Sequence, residues 1–350
     1  MTVATDVIDF ELAARVGVRI APSGPPVDAA LAKEVVEELR DLAAAAMEPV
    51  RHTSGLSAGE DTATTVVVDR AQWVHSNIVG FREVLTPLLD HMNERMPDAS
   101  LAKELGSRAT GVELGGVLGW LSGKVLGQYE AFVPPGVKPR LLLVAPNIVT
   151  AERALDVTPR DFRLWVCLHE ETHRVQFGAV PWLADQLRSD VHTFLMARGS
   201  AVDLVKRAVA LLEALVAVAR GADTTALVAA VATPVQQAAL DRITALMTLL
   251  EGHADHVMDE VGPDVVPSVV QIRDRFEKRR SSATGVDALA RRLLGVDAKM
   301  KQYAEGAAFV RTVQDIAGLD GFNQVWSAPS NLPTRAEIAQ PSTWVARVLS

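Results

Sequence analysis

The chain has 350 residues, and 35 Lys and Arg against 43 Asp and Glu leave a formal charge of −8, which disfavours a nucleic-acid or anionic-membrane partner. With 49% hydrophobic residues it can bury a large core, so a wholly disordered chain is excluded; at about 150 residues per domain, the length alone suggests roughly two domains. The single cysteine, Cys167, excludes an internal disulfide framework and any multi-cysteine zinc or iron–sulfur site, so a metal must be held by His and carboxylates.

Mean hydropathy of +0.15 prompts a search for membrane spans, yet the apolar runs break before the ~18–20 residues a span needs. The stretch 208–219 contains Glu213 and stops at Arg220, and 224–240 contains Pro234, Gln236 and Gln237. No integral membrane span is therefore expected. Asp6, Asp9 and Glu11 fall where the apolar core of an export signal would lie, and a cytoplasmic location follows as the expectation.

Residues 1–26 read as a leader segment ending in Ala21-Pro22-Ser23-Gly24-Pro25-Pro26, and 27–126 as an N-terminal helical region. Its first helix spans about Val27 to Met47, with Asp28 at the start and Leu31, Val35, Val36, Leu39 and Leu42 on a 3.6-residue period. Val66-Val67-Val68-Asp69 then leads into a helix over 70–95, punctuated by Pro87. Residues 100–126 read as one more helix, on which Gly111, Gly115, Gly119, Gly123 and Gly127 recur every fourth residue. Each glycine costs a helix roughly 1 kcal/mol relative to Ala, so the stripe predicts a second backbone pressed close, as an intramolecular seam.

From 127 to 148 the period changes. Gln128 to Val133 and Arg140 to Val144, separated by Pro134-Pro135-Gly136, predict a strand, a turn and a strand. Pro146 suggests that the second strand lies at a sheet edge or ends there. Helices are expected from Thr158 almost to Asp315, with a break at Gly262-Pro263, and loops from Gly318 to Trp344. The fold class is mainly α with a small β-sheet. Residues 127–350 are expected to form the catalytic region, with a helical insertion at 182–240, integrated with the rest in one domain.

The chemistry concentrates in Leu168-His169-Glu170-Glu171-Thr172-His173. Residues four apart share a helix face, so both imidazoles can reach one ion, and Zn²⁺ accepts two such nitrogens readily. Glu170 is close enough to take a proton from a water on that ion. The apolar flanks Leu164, Trp165, Val166, Leu168, Val175 and Phe177 put these polar groups where burial without a partner would cost several kcal/mol, and a metal removes that objection. A third ligand is expected from Glu251, a carboxylate that follows the uncharged run 243–250. Asp255, one turn further on, can accept the ring N–H of a ligand histidine. Gly252 would let the two helices approach. His253 and His256 point roughly 160° and 140° away from the Glu251 face and are weaker candidates. Tyr303 is read either as an oxyanion donor or as a packing tyrosine.

His169-Glu170-x-x-His173 followed by Glu251-x-x-x-Asp255 resembles the gluzincin pattern of thermolysin-like metallopeptidases. That resemblance implies His169, His173 and Glu251 as zinc ligands, Glu170 as general base and Asp255 as the residue orienting a histidine. The 78 residues between His173 and Glu251 depart from the pattern. A likeness over most of the chain, through His169 to Phe177, Glu251 to Asp259, Gly295 to Tyr303 and Phe322 to Thr334, is to an actinobacterial family of predicted zinc-dependent metalloproteases or hydrolases, some labelled as associated with deazaflavin-cofactor biosynthesis. Zincin-like architecture, a Zn²⁺ cofactor and a peptide or protein substrate are what it implies. The alternative is a zinc-stabilised scaffold or binding protein without catalysis.

Overall fold

Among the described residues helices dominate, and three short strands complete an α+β architecture. The computed structural model describes residues 7–57, 63–95, 101–196, 233–281 and 296–350. Among the described residues no helix is long and apolar enough to cross a membrane. Of the expected insertion 182–240, helix Leu183–Met196 is described, and 197–232 lie outside the described residues.

Local chemistry sets the ends of the first helices. Helix α1 spans Phe10–Ile20 and starts where Asp9 accepts from the Leu12 N–H at 2.8 Å. In α2 (Ala29–Ser54) the Asp28 side chain accepts from the Leu31 N–H at 2.8 Å, and Gly55 closes the helix at φ 63°, a conformation open to glycine at little cost. Strand β1 (Thr64–Val68) runs into α3 (Arg70–Arg95), and α4 (Leu101–Leu121) precedes β2 (Gly127–Tyr129) and β3 (Arg140–Val144). Then come α5 (Ala145–Leu155), α6 (Pro159–Ala179), α7 (Leu183–Met196), α8 (Pro234–Val265), α9 (Val269–Ser281) and α10 (Val296–Asn323).

The sheet decides between the two expectations for the second strand, an edge position or an end at Pro146, in favour of the second. Its order is β1-β3-β2, with β1 parallel and β2 antiparallel to β3, so Arg140–Val144 is the central strand and not an edge. The β-branched run Thr64 to Val68, read only as a lead into a helix, pairs along the whole of β3 from Thr64 opposite Arg140 to Val68 opposite Val144. Leu141 to Val144 are fully buried, as a strand covered on both faces requires. Pro146 falls in the first turn of α5, after the strand has ended. The edge towards α6 is β2, which is shorter than the expected 128–133.

The glycine stripe divides into two uses. Helix α4 stops at Leu121, short of the expected 126, and an ideal Cβ on Gly111, Gly115 or Gly119 would fall 2.4–2.5 Å from the carbonyl oxygens of Asp9, Ala13 and Gly17. The partner backbone is therefore α1 of the same chain. Gly127 belongs to β2 and serves the site described below.

The carboxy-terminal stretch, expected as loops, is largely short helices. Helix α10 kinks at Gly318, and two 3₁₀ turns, Gln324–Trp326 and Pro329–Asn331, lead to α11 (Arg335–Ala339) and α12 (Pro341–Val348). Pro329 and Pro341 sit in first turns, where their missing N–H is harmless, and Thr334 with Glu337 forms a capping box. Trp344 is fully buried there and donates to the Asn331 carbonyl at 2.7 Å.

Gly119→Leu places a branched side chain against the Gly17 carbonyl and should destabilise the fold by about 1–3 kcal/mol. Chemical denaturation measures the loss, and sedimentation velocity should show an unchanged association state. A shift from dimer to monomer would contradict the intramolecular seam.

Candidate metal centre

Helix α6 is buried over most of its circumference, with Phe162, Trp165, Val166, Cys167, Leu168 and Val175 in the core. Its polar side chains therefore meet partners on neighbouring elements. Arg163 forms a bidentate pair with Glu152 of α5 at 2.7 and 2.9 Å and also pairs with Glu38 of α2. Glu171, fully buried, accepts from Thr65 of β1 at 3.2 Å and from Arg174 at 3.4 Å. These contacts fix the rotation of α6 and hence the direction of its histidines.

His169 and His173 project from one face, their rings perpendicular at 4.8 Å between centroids and their Nε2 atoms 3.2 Å apart. Helix α8 brings Glu251 to the same point, with Oε2 at 3.5 Å from His169 Nε2 and Oε1 at 3.8 Å from His173 Nε2. One ligand atom from each of the three lies within 4.8 Å of the others. Zn–N bonds of 2.0–2.1 Å put two tetrahedral nitrogens about 3.3 Å apart, so the spacing suits a tetrahedral ion. Among the described residues, this trio is the group that could hold a metal, and it includes neither His253 nor His256. Side-chain exposures of 23% for His169, 14% for His173 and 16% for Glu251 leave the point of convergence reachable by water.

Gly252 works differently from the expectation. An ideal Cβ there would fall 2.2 Å from the Gly306 carbonyl carbon, and one on Gly306 would fall 2.3 Å from the Thr248 carbonyl oxygen. The close crossing it permits is between α8 and α10, at the level of Glu251, and not between α8 and α6.

Burial pushes the Glu170 carboxyl up to about 7, with His169 opposing and Glu251 and Glu171 adding to the rise. Burial alone would lower His169, but its hydrogen bond and charge interaction with Glu251 prevail and hold it up at about 9, with Glu170 and Asp255 adding. Burial lowers His173, and His169 lowers it further against Glu251. The two imidazoles are thus unequal, with positive charge favoured on His169.

Glu170 itself is buried against β2. An ideal Cβ on Gly127 would fall 2.4 Å from Glu170 Cδ, so the carboxyl occupies the space a side chain would take. Two residues along the same strand face, Tyr129 stacks on Phe177 of α6 at 5.1 Å. Asp255 lies one turn beyond Glu251, and its main-chain oxygen accepts from Arg273 at 3.3 Å. Tyr303 belongs to α10, and its side chain lies outside the described residues.

Sequence reasoning missed Gln176. It is fully buried, its Oε1 is 2.9 Å from His173 Nδ1, and its Nε2 is 3.0 Å from the Leu250 carbonyl and 2.9 Å from His253 Nδ1. The available signal was an amide between apolar Val175 and Phe177, one turn past a metal-type histidine.

No curated protein matches the chain. A crystal structure from Chloroflexus aurantiacus, described as "a putative hydrolase with a novel fold", is similar to it with a TM-score of 0.68 and 31% sequence identity, over 97% of this chain and 98% of that one. The model of the zincin-like metallopeptidase family matches residues 8–345. On a match of that extent, the chain belongs to the zincin-like metallopeptidase family.

Proposed function

We propose that the protein is a zinc-dependent hydrolase of gluzincin type, a metallopeptidase that cleaves peptide or protein substrates. The observation that carries this reading is the convergence of His169 Nε2, His173 Nε2 and the Glu251 carboxylate, with Glu170 on the same helix beside the first histidine. Two nitrogens and a carboxylate oxygen, with a side open to water, form the donor set of a catalytic zinc site. Zinc held there would supply Lewis acidity to a scissile carbonyl and an attacking water.

Glu170 then takes the proton of the attacking water and passes it to the departing amine. Its low-polarity setting against β2 suits that exchange, because a carboxyl titrating near neutrality can both accept and return a proton. The substrate path follows from the sheet. Leu126 accepts from the Val144 N–H and Glu130 donates to the Arg140 carbonyl, so alternate residues face β3 and Gly127 turns its peptide groups to the outer edge. An extended peptide added along that edge runs past Glu170. The edge strand is thus β2, in place of Arg140–Val144.

Glu251→Ala should abolish stoichiometric zinc, read by elemental analysis of the purified protein. Glu170→Gln should keep zinc and lose peptide cleavage by about 10²–10⁴-fold in a peptide-library assay. Zinc bound with no cleavage by wild type on any library would favour the scaffold alternative. Gly127→Ala forces a methyl group into the space of the Glu170 carboxyl, and a displacement of that kind should cost about 10²-fold in kcat with zinc retained. Asp255 bears on His169 by its charge, so Asp255→Ala should weaken zinc binding by about 10–100-fold in chelator competition.

A further inference from the structure

The H-E-x-x-H pattern does not require Gln176, yet the most completely satisfied amide beside the site is its side chain. An amide has one accepting oxygen and one nitrogen with two N–H donors, and the surrounding groups decide which end faces which way. The Leu250 carbonyl, 3.0 Å from Nε2, can only accept, so the NH₂ group must lie on that side. The second N–H of the same nitrogen meets His253 Nδ1 at 2.9 Å. Oε1 is left towards His173 Nδ1 at 2.9 Å, where it can only accept. Nδ1 of His173 therefore carries the hydrogen, and Nε2 turns a lone pair towards His169 and Glu251. The 3.2 Å approach of the two Nε2 atoms agrees with this, since the His173 lone pair can then accept from His169.

His253 is held in turn. It is fully buried, its ring lies 5.3 Å from Phe322 and 5.5 Å from Trp326, and accepting at Nδ1 leaves its hydrogen on Nε2. Phe322 and Trp326 bring the carboxy-terminal segment into the chain of contacts that ends at His173.

We propose that Gln176 is a positioning residue for the metal: it locks His173 in the Nδ1–H tautomer and in the ring orientation a cation needs, and is itself locked by the Leu250 carbonyl and the His253 ring. In the opposite tautomer His173 would aim a hydrogen at the ion. This rests on the reading of His173 as a ligand.

Long-range ¹H–¹⁵N spectra of the metal-free wild-type protein should show His173 protonated at Nδ1 and bare at Nε2. Gln176→Met, similar in length but unable to hold the hydrogen bond, should let the tautomers mix and raise the zinc Kd about 10–100-fold in chelator competition. Gln176→Glu keeps an acceptor towards His173 and should preserve the wild-type tautomer. An Nε2–H tautomer in the wild type would overturn the proposal even if neither variant folds. A folded Gln176→Met with unchanged zinc affinity would also overturn it while the metal reading stands. Absence of zinc binding by the wild type overturns the metal reading itself.

Discussion

A helix buried on most sides that nevertheless carries polar side chains must find a partner for each of them, and α6 is that helix. An unsatisfied buried polar group costs about 1–3 kcal/mol, and more when charged, so each such residue on α6 specifies what must stand beside it. Arg163 calls for Glu152 and Glu38, Glu171 for Thr65 and Arg174, and Gln176 for the Leu250 carbonyl and His253. Together these requirements bring α5, α2, β1 and α8 around one segment. His169 and His173 inherit their direction from that arrangement, so the precision of the site is a consequence of how the core satisfies its own polar groups.

Legibility from sequence followed the range of the interaction. The pairing of His169 with His173 is a property of four consecutive residues in a helix, and Glu251 stood out because a charge followed an uncharged run. Both signals are local. The central place of β3 was not legible because its second neighbour, Thr64 to Val68, lies more than 70 residues earlier and is too short to declare itself. Gly127 looked like the last member of a helical stripe because its spacing matched, whereas its reason is a carboxyl from a helix 43 residues later. Gln176 escaped notice because its importance lies in contacts across α8, and no period in a single helix reports those.

Small residues then decide how tightly the second layer can close. Gly252 and Gly306 let α8 and α10 touch backbone to backbone beside Glu251, and α10 leads on to Phe322 and Trp326 against His253. A side chain on either glycine would force the helices apart where the Glu251 carboxylate is presented. The α1 and α4 seam uses the same device away from the site, so close backbone crossing is a general means of compaction in this fold.

What stands behind a histidine proposed as a ligand matters for a cation held in front of it. On the proposed reading Glu251 faces both histidines on the side of the ion, and His173 leans on a neutral amide at its far nitrogen. A carboxylate behind a ligand imidazole raises its basicity and adds negative charge near the ion, and both effects weaken the ion as a Lewis acid. With Glu170, Glu251 and Asp255 already present, a fourth carboxylate at position 176 would deepen that loss. An amide fixes the ring and its tautomer without adding charge, which lets the site hold a histidine firmly while keeping the positive charge that polarises a carbonyl.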